Sequence, residues 1–249
     1  MNTDIATILE STSFQPANKL KKKERMILNI QGLPDTGKTH MLLTCPEPIC
    51  IFDFDHNLEG ILEKFPDKDI WVSEYDFDKP TKHASEVQLL KRADVLWNRF
   101  ITEYNQALLQ AKTIGIDSAG LMWELLRMAR FGKMTSIMPH MYGPLNTEHQ
   151  QIVDSAKRSN CNLVFLSTMQ PEYIADQPSG RYVRQGWSRL DYHCSYSIEL
   201  GRAKKKPTDK QAVFEGTIKK FKPDPNMVGQ VLINPTFNDI FLKAFPKGV

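Results

Sequence analysis

The segment Gly32-Leu33-Pro34-Asp35-Thr36-Gly37-Lys38-Thr39 carries two glycines, a lysine and a threonine at the spacing GxxxxGK[ST]. That spacing suits phosphate. Glycines let backbone amides turn inward around phosphate oxygens, the Lys38 ammonium reaches the outer phosphates, and the Thr39 hydroxyl ligates Mg²⁺. His40 follows directly and belongs to the same candidate nucleotide-binding stretch. Such a loop needs a second acid at the end of a neighbouring strand to support the metal. Asp117 in TIGIDSAG is the candidate, with four strand-like residues before it. Asp53 and Asp55 end another apolar run, where a carboxylate could polarise the water that attacks the terminal phosphate. A strand-terminal aspartate can equally cap a helix. ATP and Mg²⁺ are the expected cofactors.

A second group of residues points to a polymer. Arg181, Tyr182, Arg184, Trp187 and Arg189 interleave basic and aromatic side chains. Single-stranded nucleic acid is bound by cations for its backbone and rings on which bases stack. The alternative is a loop whose Trp187 and Tyr182 tuck into the core. Lysines and arginines also cluster at Lys19–Arg25, at Lys204–Lys206 and at Lys219, Lys220 and Lys222. Solvated loops and phosphate-binding patches both look like this. The overall balance, 32 basic against 29 acidic residues or +3, does not announce a nucleic-acid binder. The four cysteines form no CxxC pair, so free thiols in a reducing compartment are expected and zinc is not.

The elements that must position these residues follow from apolar patterning. Met26–Gln31, Ile49–Phe54, Ile70–Val72, Thr113–Asp117 and Asn162–Thr168 read as strands. A helix starts at Lys38. Ser85–Gln110 places apolar residues in steps of three and four and predicts one long amphipathic helix, with further helices over Leu121–Phe131 and Thr147–Ser159. Pro171–Trp187 lacks periodicity and reads as a long loop, which in a compact domain is usually functional or disordered. Tyr192–Leu200, Val213–Phe221 and Gln230–Ile233 read as strands, and Phe237–Ala244 as a closing helix. Alternating strands and helices predict an α/β fold with a mostly parallel sheet, ligands at the strands' carboxyl ends, and antiparallel strands added late. Residues 1–25 read as a polar basic leader and 26–249 as a single domain. The 249 residues, 41% of them hydrophobic, suffice for a large core, and no apolar window is long enough to span a membrane. A cytoplasmic protein is expected.

The order of P-loop, FDFDHNLEG, GIDSAG and LVFLSTMQ resembles the RecA-type recombinase core. The resemblance covers about residues 26–235, and it extends, through a similar MYGPLN stretch, to the compact phage nucleotide-binding proteins of that core. It implies a P-loop NTPase with a RecA-like core acting in recombination or single-strand annealing, beside a single-stranded-DNA-binding protein. It puts Asp55 at the catalytic glutamate, with His56 and Leu58 also matching; an aspartate is one methylene shorter, which implies slow hydrolysis. It puts Gln170, or Thr168, at the sensor of the terminal phosphate. Pro171–Trp187 becomes the second DNA-binding loop and Phe131–Tyr142 the region of the first. Lys220 and Lys222 resemble a lysine pair offered to the neighbouring subunit's nucleotide, which implies a homo-oligomer, ring or filament. Two other readings stand beside it: a P-loop small-molecule or nucleotide kinase, and an ATP-switched adaptor or helicase loader with little turnover.

Overall fold

The computed structural model describes residues 12–20, 23–76, 85–132, 138–203 and 212–246. The basic run Lys204–Lys206, Lys21 and Lys22, and the middle of the expected first DNA loop lie outside the described residues.

Strand β1 (Ile27–Gly32) lies at the centre of one sheet, flanked by β5 (Asn162–Ile174) and β7 (Tyr196–Arg202), both parallel to it. Beyond β5 come β4 (Thr113–Asp117), β2 (Ile49–Asp53) and β3 (Ile70–Glu74), again parallel. Beyond β7 the sheet continues antiparallel through β8 (Phe214–Phe221) and β9 (Val231–Ile233). The order is therefore β3-β2-β4-β5-β1-β7-β8-β9, the α/β architecture with late antiparallel strands that the sequence predicts.

Strand side chains alternate between two buried faces, as the pleat requires. Ile27, Phe52, Ile114, Ile116, Leu163 and Phe165 face one core. It is roofed by α2 (Glu86–Gln110), α3 (Ala119–Phe131) and α4 (Tyr142–Arg158). Helix α2 buries Leu89, Ala93, Trp97, Phe100, Tyr104 and Ala107, a single stripe at helical spacing. On the other face Leu28, Ile30, Ile51, Val164 and Ile198 pack against α1 (Lys38–Leu42), with Phe237 and Ile240 contributed by α6 (Phe237–Ala244). The first core is rich in aromatic rings, the second mostly aliphatic.

Three elements differ from the sequence reading. Pro171–Trp187 is not a loop. Strand β5 runs on to Ile174, turns through Ala175 and Asp176 (φ 49° and 61°), and returns as β6 (Gln177–Arg184). Nearly every side chain of this hairpin is solvent-exposed, so neither face imposes an alternating pattern that a sequence could reveal. Tyr192 and His193 belong to a short helix, α5 (Leu190–His193), rather than to β7. Helix α4 starts at Tyr142, five residues earlier than expected; Pro144 sits in its first turn, where the missing amide has no helical partner in any case.

Candidate functional site

Gly32 ends β1 in register with Thr168 on one side and Leu200 on the other. A Cβ added there would lie 2.5 Å from the Leu200 carbonyl oxygen and 2.6 Å from Thr36 Oγ1. No side chain fits between those strands, so the loop leaves the sheet on a glycine. The Thr36 hydroxyl then donates to the Leu33 carbonyl (2.8 Å), closing the loop on itself. Asp35 and Gly37 adopt left-handed φ values of 57° and 87°, and α1 begins at once with Lys38. The Lys38 ammonium folds back over the loop, donating to the carbonyls of Leu33 (2.8 Å) and Gly32 (3.2 Å). Leu33, Pro34 and Asp35 are exposed along the loop, and His40 rests edge-on against Phe65 at 5.0 Å.

The acids converge on that lysine. Asp53 and Asp117 are register partners at the ends of β2 and β4. The Thr39 hydroxyl donates to Asp117 Oδ2 (3.1 Å). Burial above all, with Asp53 and Asp55 beside it, pushes the Asp117 carboxyl up to about 7 against the opposing Thr39 hydrogen bond and Lys38. Burial likewise lowers the Lys38 ammonium, against the attraction of Asp117, Asp55 and Asp35. A hydroxyl and a carboxylate side by side are the oxygen donors Mg²⁺ takes from a protein when phosphates supply others. Thr39 and Asp117 would hold it here, and its charge would favour the ionised form of Asp117.

Asp53 and Asp55, which end the same apolar run of the sequence, divide in the structure. Asp53 is buried, its carboxyl raised by that burial, and its Oδ1 accepts the amides of Asp55 (3.0 Å) and His56 (2.8 Å). It shapes the turn after β2. Asp55 is carried by that turn and exposed. On β5, Thr168 stands level with Gly32, while Gln170 lies past the end of β1 and accepts from Gln185 Nε2 (2.7 Å).

Two residues of this neighbourhood have no signal in the sequence. Arg202 Nε donates to the Asp35 carbonyl (3.0 Å), and the Phe214 ring lies 3.6 Å from where a Gly37 Cβ would be. They are register partners on β7 and β8, and brace the loop from the side. A strand pairing across that chain distance leaves no local motif.

The expected nucleic-acid cluster is split. Trp187 is not a stacking surface: it is 2% exposed, donates from Nε1 to Asn146 Oδ1 (2.6 Å), and packs 4.1 Å from the His149 ring and 4.8 Å from His193. An indole this apolar is worth more inside the aromatic core than in water. Arg184 is also withdrawn, its side chain 7% exposed and bonded to Asp191 Oδ2 (3.2 Å) and the Trp187 carbonyl (2.9 Å). Arg181, Tyr182 and Arg189 are exposed. Lys220 donates to the carbonyls of Asp191 (2.6 Å) and Tyr192 (3.2 Å). The Lys222 side chain is exposed, and its amide bonds Ser195 (3.0 Å).

His149 explains the packing beside Trp187. It is fully buried against Trp123, Phe165 and Trp187, with neither ring nitrogen hydrogen-bonded. Burial drives its proton affinity down to about 3, from 6.5 in the unfolded chain, with His193 and Arg184 adding to the fall. Between those values the unfolded chain binds the extra proton, so stability is lost as pH drops below 6.5. The loss from this residue reaches about 1.4 kcal/mol one pH unit below that value. Chemical denaturation at stepped pH should therefore give a shallower acid limb for His149→Phe than for the parent; superimposable limbs would exclude His149 as the source.

A family model described as an AAA domain matches residues 24–200. Among solved structures, the chain is similar to the RadB recombinase, with a TM-score of 0.49 and 10% identity over 84% of this chain and 86% of that one. It is also similar to the flagellar accessory protein FlaH from Methanocaldococcus jannaschii, with a TM-score of 0.42 and 10% identity, covering 84% of each chain. No curated protein matches the sequence.

Proposed function

The chain belongs to the AAA domain family across residues 24–200, and from that premise we propose that it is a Mg²⁺-dependent ATPase working on single-stranded DNA in recombination or annealing, as a homo-oligomer. One observation carries the reading: Lys38, Thr39, Asp117 and Asp55 gather beyond the carboxyl ends of the parallel strands β1, β2 and β4, around a loop built for phosphate.

Each residue then has a task. The loop amides and Lys38 bind and neutralise the phosphates. Thr39 and Asp117 hold the metal, which when bound offsets charge on the outer phosphate oxygens. Asp55, unencumbered where Asp53 is not, orients the attacking water and takes its proton. Thr168 stands on β5 level with Gly32, where the loop leaves β1, and Gln170 two residues further along the same strand. The same strand continues into the exposed hairpin, so phosphate state and hairpin are joined by continuous backbone. Tyr173, Ile174 and Tyr182 leave apolar surface on that hairpin in water, which favours a partner there.

Steady-state ATP hydrolysis, with and without single-stranded DNA at one fixed salt concentration, tests the reading. Stimulation by DNA is expected. Turnover indifferent to DNA would favour a kinase of small molecules or nucleotides, and ATP binding without turnover an ATP-switched adaptor. Asp55→Asn should lower turnover roughly 10²- to 10⁴-fold, the usual contribution of a general base, with ATP affinity little changed. Full activity in that variant would remove Asp55 from the chemistry.

A further inference from the structure

With Trp187 and Arg184 inside the fold, the hairpin has one exposed cation, Arg181. Arg181 stands there against Glu172 and Asp176, so the hairpin's aromatic surface carries no net positive charge. Affinity for nucleic acid comes mainly from binding to phosphates, which a neutral hairpin cannot supply. The cations lie lower, along the far flank of the aromatic core.

Three of them act on His193. Its proton affinity is lowered first by burial and then by Lys157, Arg189 and Lys220, with Asp154 alone opposing. Lys157 comes from the last turn of α4, Arg189 from the residue before α5, and Lys220 from β8. The Lys220 bonds to the Asp191 and Tyr192 carbonyls tie β8 to α5. Acidic compensation is thin: Asp154 pairs with Lys157 at 3.3 Å, and Asp191 is already engaged by Arg184. Out of the middle of this group stands Tyr192, 82% exposed, its ring edge-on to His193 at 5.1 Å. His193 in turn stacks on the buried Trp187, so the exposed ring is backed by a packed column.

We propose that the surface made by the end of α4, by α5 and by the adjoining stretch of β8 binds the sugar-phosphate backbone of single-stranded nucleic acid, with Tyr192 as the platform on which a base stacks. This rests on the function proposed above and gives it a footprint outside the hairpin. An acidic peptide would satisfy the cations but has no use for a bare ring among them; a base uses both. The surface is also removed from the nucleotide: the Lys222 amide bonds Ser195, and the Ser195 amide bonds Ile27 at the amino end of β1, whereas the P-loop leaves the carboxyl end.

The test is anisotropy of a labelled oligo-dT strand with the full chain, titrated at several salt concentrations. Lys157→Ala/Arg189→Ala should lower the log–log salt slope by about 1.4, or about 0.7 for each phosphate that is no longer neutralised. Tyr192→Ala should weaken binding roughly five- to 150-fold, the range for losing one stacked base. DNA-free ATP turnover should stay unchanged in both, reporting an intact fold. If the parent binds the strand and both variants bind it equally well, the surface is not the site, and the DNA reading stands without it. A parent that binds no strand would sink that reading itself. A parent that binds poly-glutamate but not oligo-dT, with the double variant weakened, would overturn the proposal in favour of an acidic protein partner.

Discussion

Lys38→Ala should abolish measurable nucleotide binding or turnover, by roughly a hundredfold or more, the loss typical of deleting one preorganised charge from a site of this kind. The ammonium is half-buried among three carboxylates and already bonded to two loop carbonyls. Its removal takes away the cation that meets the outer phosphates. It also leaves the metal as the one cation between the phosphates and the nearby carboxylates of Asp117 and Asp55. The fold should survive, because the loop's shape rests on Gly32, on the Thr36 hydroxyl bond and on the brace from Arg202 and Phe214. Calorimetric titration with ATP and a thermal melt separate the two effects. Retained affinity would dismantle the site; a collapsed melt would mean that Lys38 holds the loop rather than the ligand.

Trp187→Ala should cost stability instead of affinity. Deleting a buried indole removes its burial energy and leaves a cavity, together about 3–5 kcal/mol. In a chain of this size that corresponds to a melting point lower by very roughly 6–20 °C. The cavity would open between His149 and His193 and strand the Asn146 Oδ1 that the indole satisfies. Below its melting point the variant should still bind single strands. A variant that melts like its parent but loses the strand would return Trp187 to the surface.

What the sequence reveals and conceals here has a common physical basis. Buried elements declare themselves in two ways: β1 and β4, buried on both faces, read as short, largely apolar runs, and α2, with one buried face, reads as a six-residue stripe at helical spacing. The P-loop is readable for a different reason, since its glycines and lysine are fixed by ligand chemistry. The β5–β6 hairpin is illegible because both its faces are wet, and its Ala175–Asp176 turn lacks the glycine or asparagine that usually marks one. Trp187 misleads because an aromatic among arginines looks the same on a DNA-binding loop and at the rim of a core. Residue type and position alone do not separate Asp53 from Asp55; the hydrogen bonds that consume Asp53 do.

The unequal composition of the two cores has an optical consequence. Of the four tryptophans, Trp97, Trp123 and Trp187 all lie in the aromatic core, and Trp71 stands 65% exposed at the sheet's edge. The aliphatic face, under the P-loop helix, contains none. Intrinsic emission is therefore a one-sided gauge. It will register loosening of the helical roof beneath α2, α3 and α4, and stay dark to events under α1 on the other side. A nucleotide that tightens the loop should thus be invisible to tryptophan unless the sheet itself carries the change through.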